Sequence, residues 1–203
     1  ADFFYNHSDN IRSSSPHDAP QNGYLARKGL RMTDNIKVQW TGRQAFIYRL
    51  AFTYLDYAEA ENEAHDTKEA RLQAIKYVNM IRERAGIRQY TCDDVDKFDE
   101  DYIHLDNTQE AVRKAVHMER RVELCCENNR WYDIRRWKEA ENLPEMTGDD
   151  YGMNAASGTN AETFYKRTVY QTRVWNRKFY WMPVYIDEYD KNPNLVQPPF
   201  WTN

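Results

Sequence analysis

The densest group of side chains that could do acid–base chemistry lies between residues 119 and 130. Glu119 and Glu123 stand four positions apart, so a helix would place them one turn apart on the same face. Two carboxyl groups can cleave a glycoside as acid and base, but they must then face each other across the sugar. Neighbours on one helix point the same way, and each has an arginine close by that favours the ionised carboxylate. The pattern therefore favours a structural ion network over catalysis.

The same stretch predicts how this network is paired. Arg120 and Glu123 stand three positions apart and can pair across one turn of a helix. Glu127 and Arg130 can pair in the same way across a helix break at Asn128–Asn129. The expected members of the network are Glu119, Arg120, Glu123, Glu127 and Arg130. We expect them to hold two neighbouring helices together.

The remaining residues that could carry chemistry form no motif of a known reaction. His65, His104 and His117 are far apart, and none of them falls in a metalloprotease-like pattern. The chain has no glycine-rich phosphate loop, and Ser13–Ser15 lack the strand–turn–helix context of a hydrolase serine. We therefore expect no catalytic residue, no cofactor and no metal ion, and we expect that the protein is not an enzyme.

Cysteines and acidic residues offer two weaker metal hypotheses. Three cysteines, of which Cys125 and Cys126 are adjacent, fit neither a disulfide framework nor a four-ligand zinc site, so buried free thiols are the simplest interpretation. Seven acidic residues face a single lysine between Asp93 and Asp106. Calcium binding there is conceivable, but the spacing lacks that of a calcium-binding EF-hand loop, which favours a solvated acidic loop.

Composition limits the class of protein. The 203 residues carry a net charge of −4, which argues against a general phosphate-binding surface and hence against nucleic acid as a partner. Aromatic residues make up 14% of the chain, a surplus of rings that can pack a core or stack on sugar faces. No apolar run is long enough to span a bilayer. The chain lacks an initiating Met and begins as if it were cut from a longer one.

Helical periodicity organises the middle of the chain and predicts a mainly α fold with little β structure. A helix from Ala45 to about Glu63 and a second one that ends at Gly86 predict a hairpin over residues 45–86, similar to a tetratricopeptide pair. A cap at Thr108 begins a second helical pair over residues 108–141, whose last helix runs from Arg130 to about Ala140. Residues 1–44 are predicted to be irregular, and residues 142–203 to be loops and a docked tail.

Aromatic residues divide into two predicted groups. Trp131, Trp137 and Trp181 lie in apolar patterns and are expected in the core, and residues 175–182 look extended. Trp40 and Tyr24 lie in the irregular first segment, where loops more often carry binding residues.

Five blocks of the chain match, in order, the motifs of one known family. The strongest is ERRVEL at 119–124 followed by ENNRWYDIRRW at 127–137, a helix–break–helix signature. The others are NGYLARK at 22–28, YRLAFTYLDYAEA at 48–60, IRERAGI at 81–87 and the tail from MPV at 182–184 to NPNLVQ at 192–197. Together they resemble the SusD/RagB family of surface glycan-binding lipoproteins of Bacteroidetes. Asn128 stands where the family usually has glycine, and Tyr185 where it has proline, so loop detail differs.

The resemblance implies a SusD-like α-helical fold, of which residues 1–203 form the C-terminal part of a single domain. It also implies a protein on the surface of the outer membrane, with a lipid anchor in a missing N-terminal part. Such a protein binds an oligosaccharide without hydrolysing it and delivers it to a SusC-like TonB-dependent transporter. Because ligand contacts in the family come from variable loops, Trp40 and Tyr24 are the candidate glycan-binding residues.

Two other functions stay open at this point. A RagB-like member would take up peptides, and a helical-repeat scaffold would have no affinity for carbohydrate. A glycosidase is disfavoured because facing carboxylates are missing from the sequence pattern.

Overall fold

The computed structural model describes residues 23, 24, 26, 28, 29, 47–93, 99–154, 160–192 and 194–201. Helices dominate this part of the chain and its strands are short, which confirms the predicted mainly α fold class. The chain divides into two compact units. The first, here called the hairpin unit, is Lys28–Trp131, and the second, the tail unit, is Ala1–Arg27 together with Tyr132–Asn203.

Within its described residues, the hairpin unit contains three long helices and a short pair of parallel strands. Its elements are α1 (Leu50–Ala64), α2 (Lys68–Ala85), β1 (Gln89–Thr91), β2 (Tyr102–His104) and α3 (Gln109–Glu123). Only three residues connect α1 and α2, so the two helices form the predicted antiparallel hairpin. Between β1 and β2, Tyr90 lies opposite Ile103.

Local capping determines where α2 and α3 begin and where α2 ends. The Thr67 hydroxyl accepts a hydrogen bond from the Ala70 amide at 3.2 Å, and Thr108 accepts one from Ala111 at the same distance. Gly86 ends α2 with φ of 68°, a left-handed conformation that a glycine adopts without strain. These three signals are local in sequence, and those at Thr108 and Gly86 were predicted.

The start of α1 differs from the prediction of a helix from Ala45. Ile47 and Tyr48 are not helical, and Arg49 is the extended residue just before the helix, with φ of −143° and ψ of 163°. Ile47 fits the helical spacing of apolar residues in the sequence, which is why a helix was predicted there. In the structure it is 96% exposed and does not pack in the core. Ala45 itself lies outside the described residues.

Apolar residues of all three helices meet in one core of the hairpin unit. Leu55 and Ala58 of α1 and Ala74 and Val78 of α2 are almost completely buried. The other buried members of this core are Ala51, Phe52, Ile75, Ile81, Cys92, Val112, Val116 and Leu124. Alanines at the helix contact let the two backbones approach closely, so the hairpin packs along much of its length.

The cysteines are only partly as expected. Cys92 is buried in the core of the hairpin unit. Cys125 and Cys126 are exposed, so the prediction of buried thiols was wrong for this pair. The two residues lie in the turn after α3, so the usual burial of free cysteines does not hold for them.

The tail unit is built from short elements. They are the larger part of α4 (Arg130–Arg136), α5 (Pro144–Thr147), β3 (Asp149–Met153), α6 (Ala161–Phe164), β4 (Arg167–Thr172) and α7 (Ile186–Lys191). β3 and β4 pair antiparallel, with Gly152 opposite Thr168. The predicted fourth helix ends at Arg136 rather than near Ala140, because Lys138 takes up a left-handed conformation with φ of 57°.

The segment expected to be extended, residues 175–182, contains a 3₁₀ turn at Arg177–Tyr180 instead. The Asn176 side chain accepts a hydrogen bond from the Lys178 amide at 3.1 Å and thereby begins the turn. Across the described residues, no helix has the length and apolar composition that crossing a bilayer requires.

The helical core of the hairpin unit predicts a contrast between two neighbouring residues of α2. Ile81 is 2% exposed and Met80 is 41% exposed. Ile81→Ala should lower the free energy of unfolding by about 2–5 kcal/mol, because it leaves a cavity. Met80→Ala, the matched control, should change it by less than about 1 kcal/mol. Urea unfolding followed by circular dichroism measures both, and equal losses would contradict the core assignment.

Candidate functional site

Arg49 lies at the centre of the charged cluster in the hairpin unit. Its Nη1 atom donates to Glu123 Oε1 at 2.5 Å, and its Nη2 atom donates to the Glu123 carbonyl oxygen at 2.8 Å. Nε donates to Glu127 Oε2 at 2.9 Å and Nη2 to Glu127 Oε1 at 2.7 Å. The guanidinium group therefore joins the residue before α1 to the last residue of α3 and to the turn that follows.

Two more cations surround the same carboxylates. Arg84 Nη2 lies 2.6 Å from Glu123 Oε1, and Lys28 pairs with Glu127. Lys28 Nζ also donates to the Glu123 carbonyl oxygen at 2.5 Å. Burial acts to raise the pKa of Glu127, but hydrogen bonds from Arg49 and Lys28 outweigh it and hold that pKa below its ordinary value. The pKa of Arg49 is raised, chiefly by its hydrogen bonds with Glu127.

Glu119 and Arg82 form a deeply buried ion pair. Arg82 Nη1 lies 2.7 Å from Glu119 Oε2, and the two side chains are 9% and 4% exposed. Arg82 Nε donates to the Arg88 carbonyl oxygen at 2.6 Å, and its guanidinium carbon lies 4.0 Å from the centre of the Tyr90 ring. This arginine therefore ties α2 both to α3 and to the segment that leads into β1.

Arg120 is a second buried arginine, and it connects α3 with the hairpin. Its Nη1 atom lies 2.5 Å from Asp56 Oδ1, and its Nε atom lies 3.7 Å from Glu59 Oε2. Asp56 and Glu59 both belong to α1, so Arg120 connects α3 with the first helix.

Glu119, Arg120, Glu123 and Glu127 of the predicted network are in ion pairs with partners that the sequence spacing did not predict. Glu123 pairs with Arg49 and Arg84, and Glu127 pairs with Arg49 and Lys28. The reason is geometric. Spacing along one helix shows only near neighbours, whereas these partners come from segments that packing brings alongside α3. Arg130 is half-buried at the start of α4.

The carboxylates of the cluster are all held by cations. Each of Glu119, Glu123 and Glu127 accepts at least one hydrogen bond from an arginine. Glu119 takes its arginine from α2, and Glu123 and Glu127 share Arg49, the residue before α1. Among the described residues, no group of three or more His, Cys, Asp or Glu side chains could hold a metal ion.

Of the two candidate glycan-binding residues, the structure describes only Tyr24. Trp40 lies outside the described residues. Tyr24 is 56% exposed and follows Gly23, which is buried. Gly23 has φ of 76°, and a Cβ atom there would lie 2.9 Å from Met153 Cβ, so only glycine fits against β3 of the tail unit. This close packing fixes the backbone beside Tyr24 and leaves the ring accessible.

An aromatic cluster in the tail unit was missed at the sequence level. The Trp181 ring lies 6.0 Å from that of Phe200, and Trp175 contacts both Phe179 and Tyr180. Trp201 Nε1 donates to the carbonyl oxygens of Lys178 and Trp181, which docks the end of the chain. The run of aromatic residues near position 180 could have indicated this cluster. It does not show whether the rings lie in a core or at the surface.

The prediction that Trp131 and Trp181 lie in the core was wrong. Trp131 is 39% exposed and Trp181 is 36% exposed, and only Trp137 is half-buried. Amphipathic rings pack with one face and keep the other in water, so an apolar pattern overestimates their burial. Trp181 and Phe200 together present exposed ring surface on the tail unit.

Comparison with known proteins identifies the family. The SusD family model matches residues 4–201, so the chain belongs to that family. A SusD-like protein of Formosa agariphila is 36% identical over 91 residues, which are 45% of this chain and 15% of that protein. The solved structure of BT4246 aligns with a TM-score of 0.61 at 33% identity, over 79% of this chain and 24% of the other.

A SusD-like protein from Bacteroides fragilis, BF3747, gives the same TM-score at 31% identity, over 77% of this chain and 26% of its own. The chain therefore spans about a quarter of the solved relatives that it matches.

The position of Arg49 between two carboxylates predicts that it is needed for stability. Arg49→Ala should lower the free energy of unfolding by about 1–3 kcal/mol, because Glu123 and Glu127 lose their shared partner in a largely buried place. Arg113→Ala is the matched control, since Arg113 pairs with Glu63 and Glu110 near the surface and should cost less than about 1 kcal/mol. Chemical unfolding measures both variants. An Arg49 variant as stable as the parent would refute the structural role.

The lowered pKa of Glu127 also predicts how stability depends on pH. A carboxyl group whose folded pKa is depressed stabilises the fold above its unfolded pKa, and this contribution disappears as the pH falls through the folded pKa. Stability should therefore decline as the pH falls below about 4.5, the ordinary value for Glu. Glu127→Gln should make this decline shallower in unfolding curves across that range. Glu83→Gln, at an exposed position of α2, should leave it unchanged, and an unchanged decline for Glu127→Gln would contradict the assignment.

Proposed function

We propose that the protein containing this chain binds a glycan at the cell surface and delivers it to a SusC-like TonB-dependent transporter without hydrolysing it. Membership of the SusD family is the observation that carries this proposal. Because the chain spans about a quarter of its solved relatives, the proposal concerns the whole protein and not this segment alone.

The charged cluster supports a role in binding without catalysis. Glycoside cleavage needs one carboxyl group as an acid and a second one across the sugar. Glu119, Glu123 and Glu127 are engaged by arginines from the neighbouring helices. Side chains bound in this way hold neighbouring helices together, which supports a structural role. We assign the cluster, together with Arg120 and Arg130, a structural role.

Exposed aromatic rings supply the chemistry that a glycan requires. The C–H faces of a sugar ring are apolar and stack on aromatic side chains, while its hydroxyl groups take hydrogen bonds from polar neighbours. Tyr24 has an exposed ring on a backbone held by Gly23. We propose Tyr24 and Trp40 as glycan contacts.

Location and partner follow from the family. We propose that the protein sits on the outer membrane by a lipid anchor outside this chain and acts as the binding partner of its transporter. A peptide in place of a glycan, as in a RagB-like uptake protein, is the alternative, and it differs only in the ligand.

The function predicts a measurable affinity that depends on the two aromatic candidates. A glycan array on the full-length protein should find a ligand, and calorimetry on the best one should give a dissociation constant. Trp40→Ala and Tyr24→Ala should each weaken binding roughly tenfold, since one stacked ring contributes on the order of 1–1.5 kcal/mol. Trp131→Ala and Tyr185→Ala are the matched controls, because both rings are exposed and lie outside the candidate segment.

Three results would count against parts of this proposal. Release of shorter sugars from the bound glycan would refute binding without hydrolysis. If no glycan on the array binds but the protein still binds its transporter, the peptide alternative is favoured. Equal affinities for the candidate and control variants would remove Tyr24 and Trp40 from the site while leaving the function intact.

A further inference from the structure

Cys125 and Cys126 are adjacent exposed thiols in the turn after α3 of the hairpin unit. Their Sγ atoms lie 3.6 Å apart, on the same side of the turn. Cys126 has φ of 64°, a left-handed conformation that is uncommon for a residue with a side chain. The turn therefore holds two neighbouring sulfur atoms side by side, which an extended chain would place on opposite sides.

Several contacts fix this turn on both sides of the cysteine pair. Leu124, just before it, is buried in the core, and its amide donates to the Arg120 carbonyl oxygen at 3.0 Å. Glu127, just after it, donates its amide to the Leu124 carbonyl oxygen at 3.1 Å and pairs with Arg49. The position of the two sulfur atoms is thus set by the fold and not by the cysteines alone.

The separation of the sulfur atoms suits a shared metal ion better than a disulfide bond. A zinc–thiolate bond is about 2.3 Å long, so two such bonds at a tetrahedral angle place the sulfurs about 3.8 Å apart. A disulfide needs about 2.05 Å between the sulfurs and at least about 4.4 Å between the Cα atoms. Adjacent Cα atoms are only about 3.8 Å apart, so oxidation would strain the turn while chelation would leave it nearly unchanged.

We infer that Cys125 and Cys126 form a bidentate site for a thiophilic metal ion, with solvent completing its coordination. Binding of a divalent ion forms two sulfur–metal bonds and breaks two S–H bonds, and both protons pass to the buffer. No oxidant or reductant takes part. The site uses residues other than the candidate glycan contacts, so it adds a binding property that the proposed function does not include.

The charges around the pair are consistent with this chemistry. The hydrogen bond with Cys125, together with burial, raises the pKa of the Cys126 thiol, while the nearby Lys28 ammonium acts to lower it and Glu127 to raise it. Two thiolates side by side repel each other, and a divalent cation between the sulfur atoms removes that repulsion.

Cadmium titration of the reduced 203-residue chain, without oxygen, tests the site. Binding should appear as a thiolate-to-cadmium charge-transfer band that saturates at one ion per chain. Cys125→Ser and Cys126→Ser should each weaken binding roughly hundredfold, because the second thiolate then no longer binds within the same molecule. Cys92→Ala is the matched control, since Cys92 is a buried thiol of the core, and it should keep the affinity of the parent.

Two outcomes would overturn the inference. Single serine variants that bind cadmium as tightly as the parent would show that the two thiols do not act together. Equal affinities of the folded chain and the chain unfolded in urea would show that the turn does not preorganise them. Intact-mass measurement of a phenylarsine oxide adduct gives a second readout, because this arsenical bridges two neighbouring thiols and should fail to bridge them in either serine variant.

Discussion

Arginine–carboxylate pairing between α3 and the α1–α2 hairpin is the constraint on which the hairpin unit depends. Arg82 and Glu119 are both nearly excluded from water, so the removal of either would leave an uncompensated buried charge. A pair of this kind adds little net free energy over an apolar pair, but it penalises every packing that separates the two charges. Arg82 also contacts Tyr90 and the Arg88 carbonyl oxygen, so the segment leading into β1 depends on the same side chain. The pair therefore acts mainly on specificity of packing.

The contacts between α1 and α3 show how this specificity works along a whole helix pair. At one end Arg49 binds Glu123, and at the other the Asn62 and Gln109 side chains each donate to the other residue's carbonyl oxygen, at 3.1 and 2.7 Å. Residue numbers rise along α1 as they fall along α3, so the helices run antiparallel in one register. A shift of α3 along α1 by one turn would break the polar contacts at both ends of the helix pair. Apolar contacts in the core would tolerate such a shift better. Polar contacts thus select among packings that the core permits.

The sequence predicted those features that depend on neighbouring residues. Thr108 begins α3 through its side chain and Gly86 ends α2 through its backbone conformation, and both helix ends were predicted. The partners of Glu119 and Glu127 lie 37 and 78 positions away, so no local pattern could reveal them. The same limit applies to the candidate site. Tyr24 could be proposed because it lies in a loop. The requirement for glycine beside it comes from close packing against Met153, which is far along the chain. The prediction that Trp181 lies in the core was wrong for a related reason, because neighbouring residues do not indicate which face of the ring is exposed to water.

This division between local and distant signals explains why the family is easier to recognise than the ligand. The residues that carry the resemblance, above all those of the 119–137 block, are occupied in holding helices together. A side chain that is buried in an ion pair cannot also be free to select a sugar. Specificity must therefore come from residues outside the block, where substitutions leave the helix packing intact. Exposed rings such as Tyr24, Trp181 and Phe200 meet that condition, since none of them is a member of an arginine–carboxylate pair. One scaffold can then present different ligand contacts, as the proposed function requires.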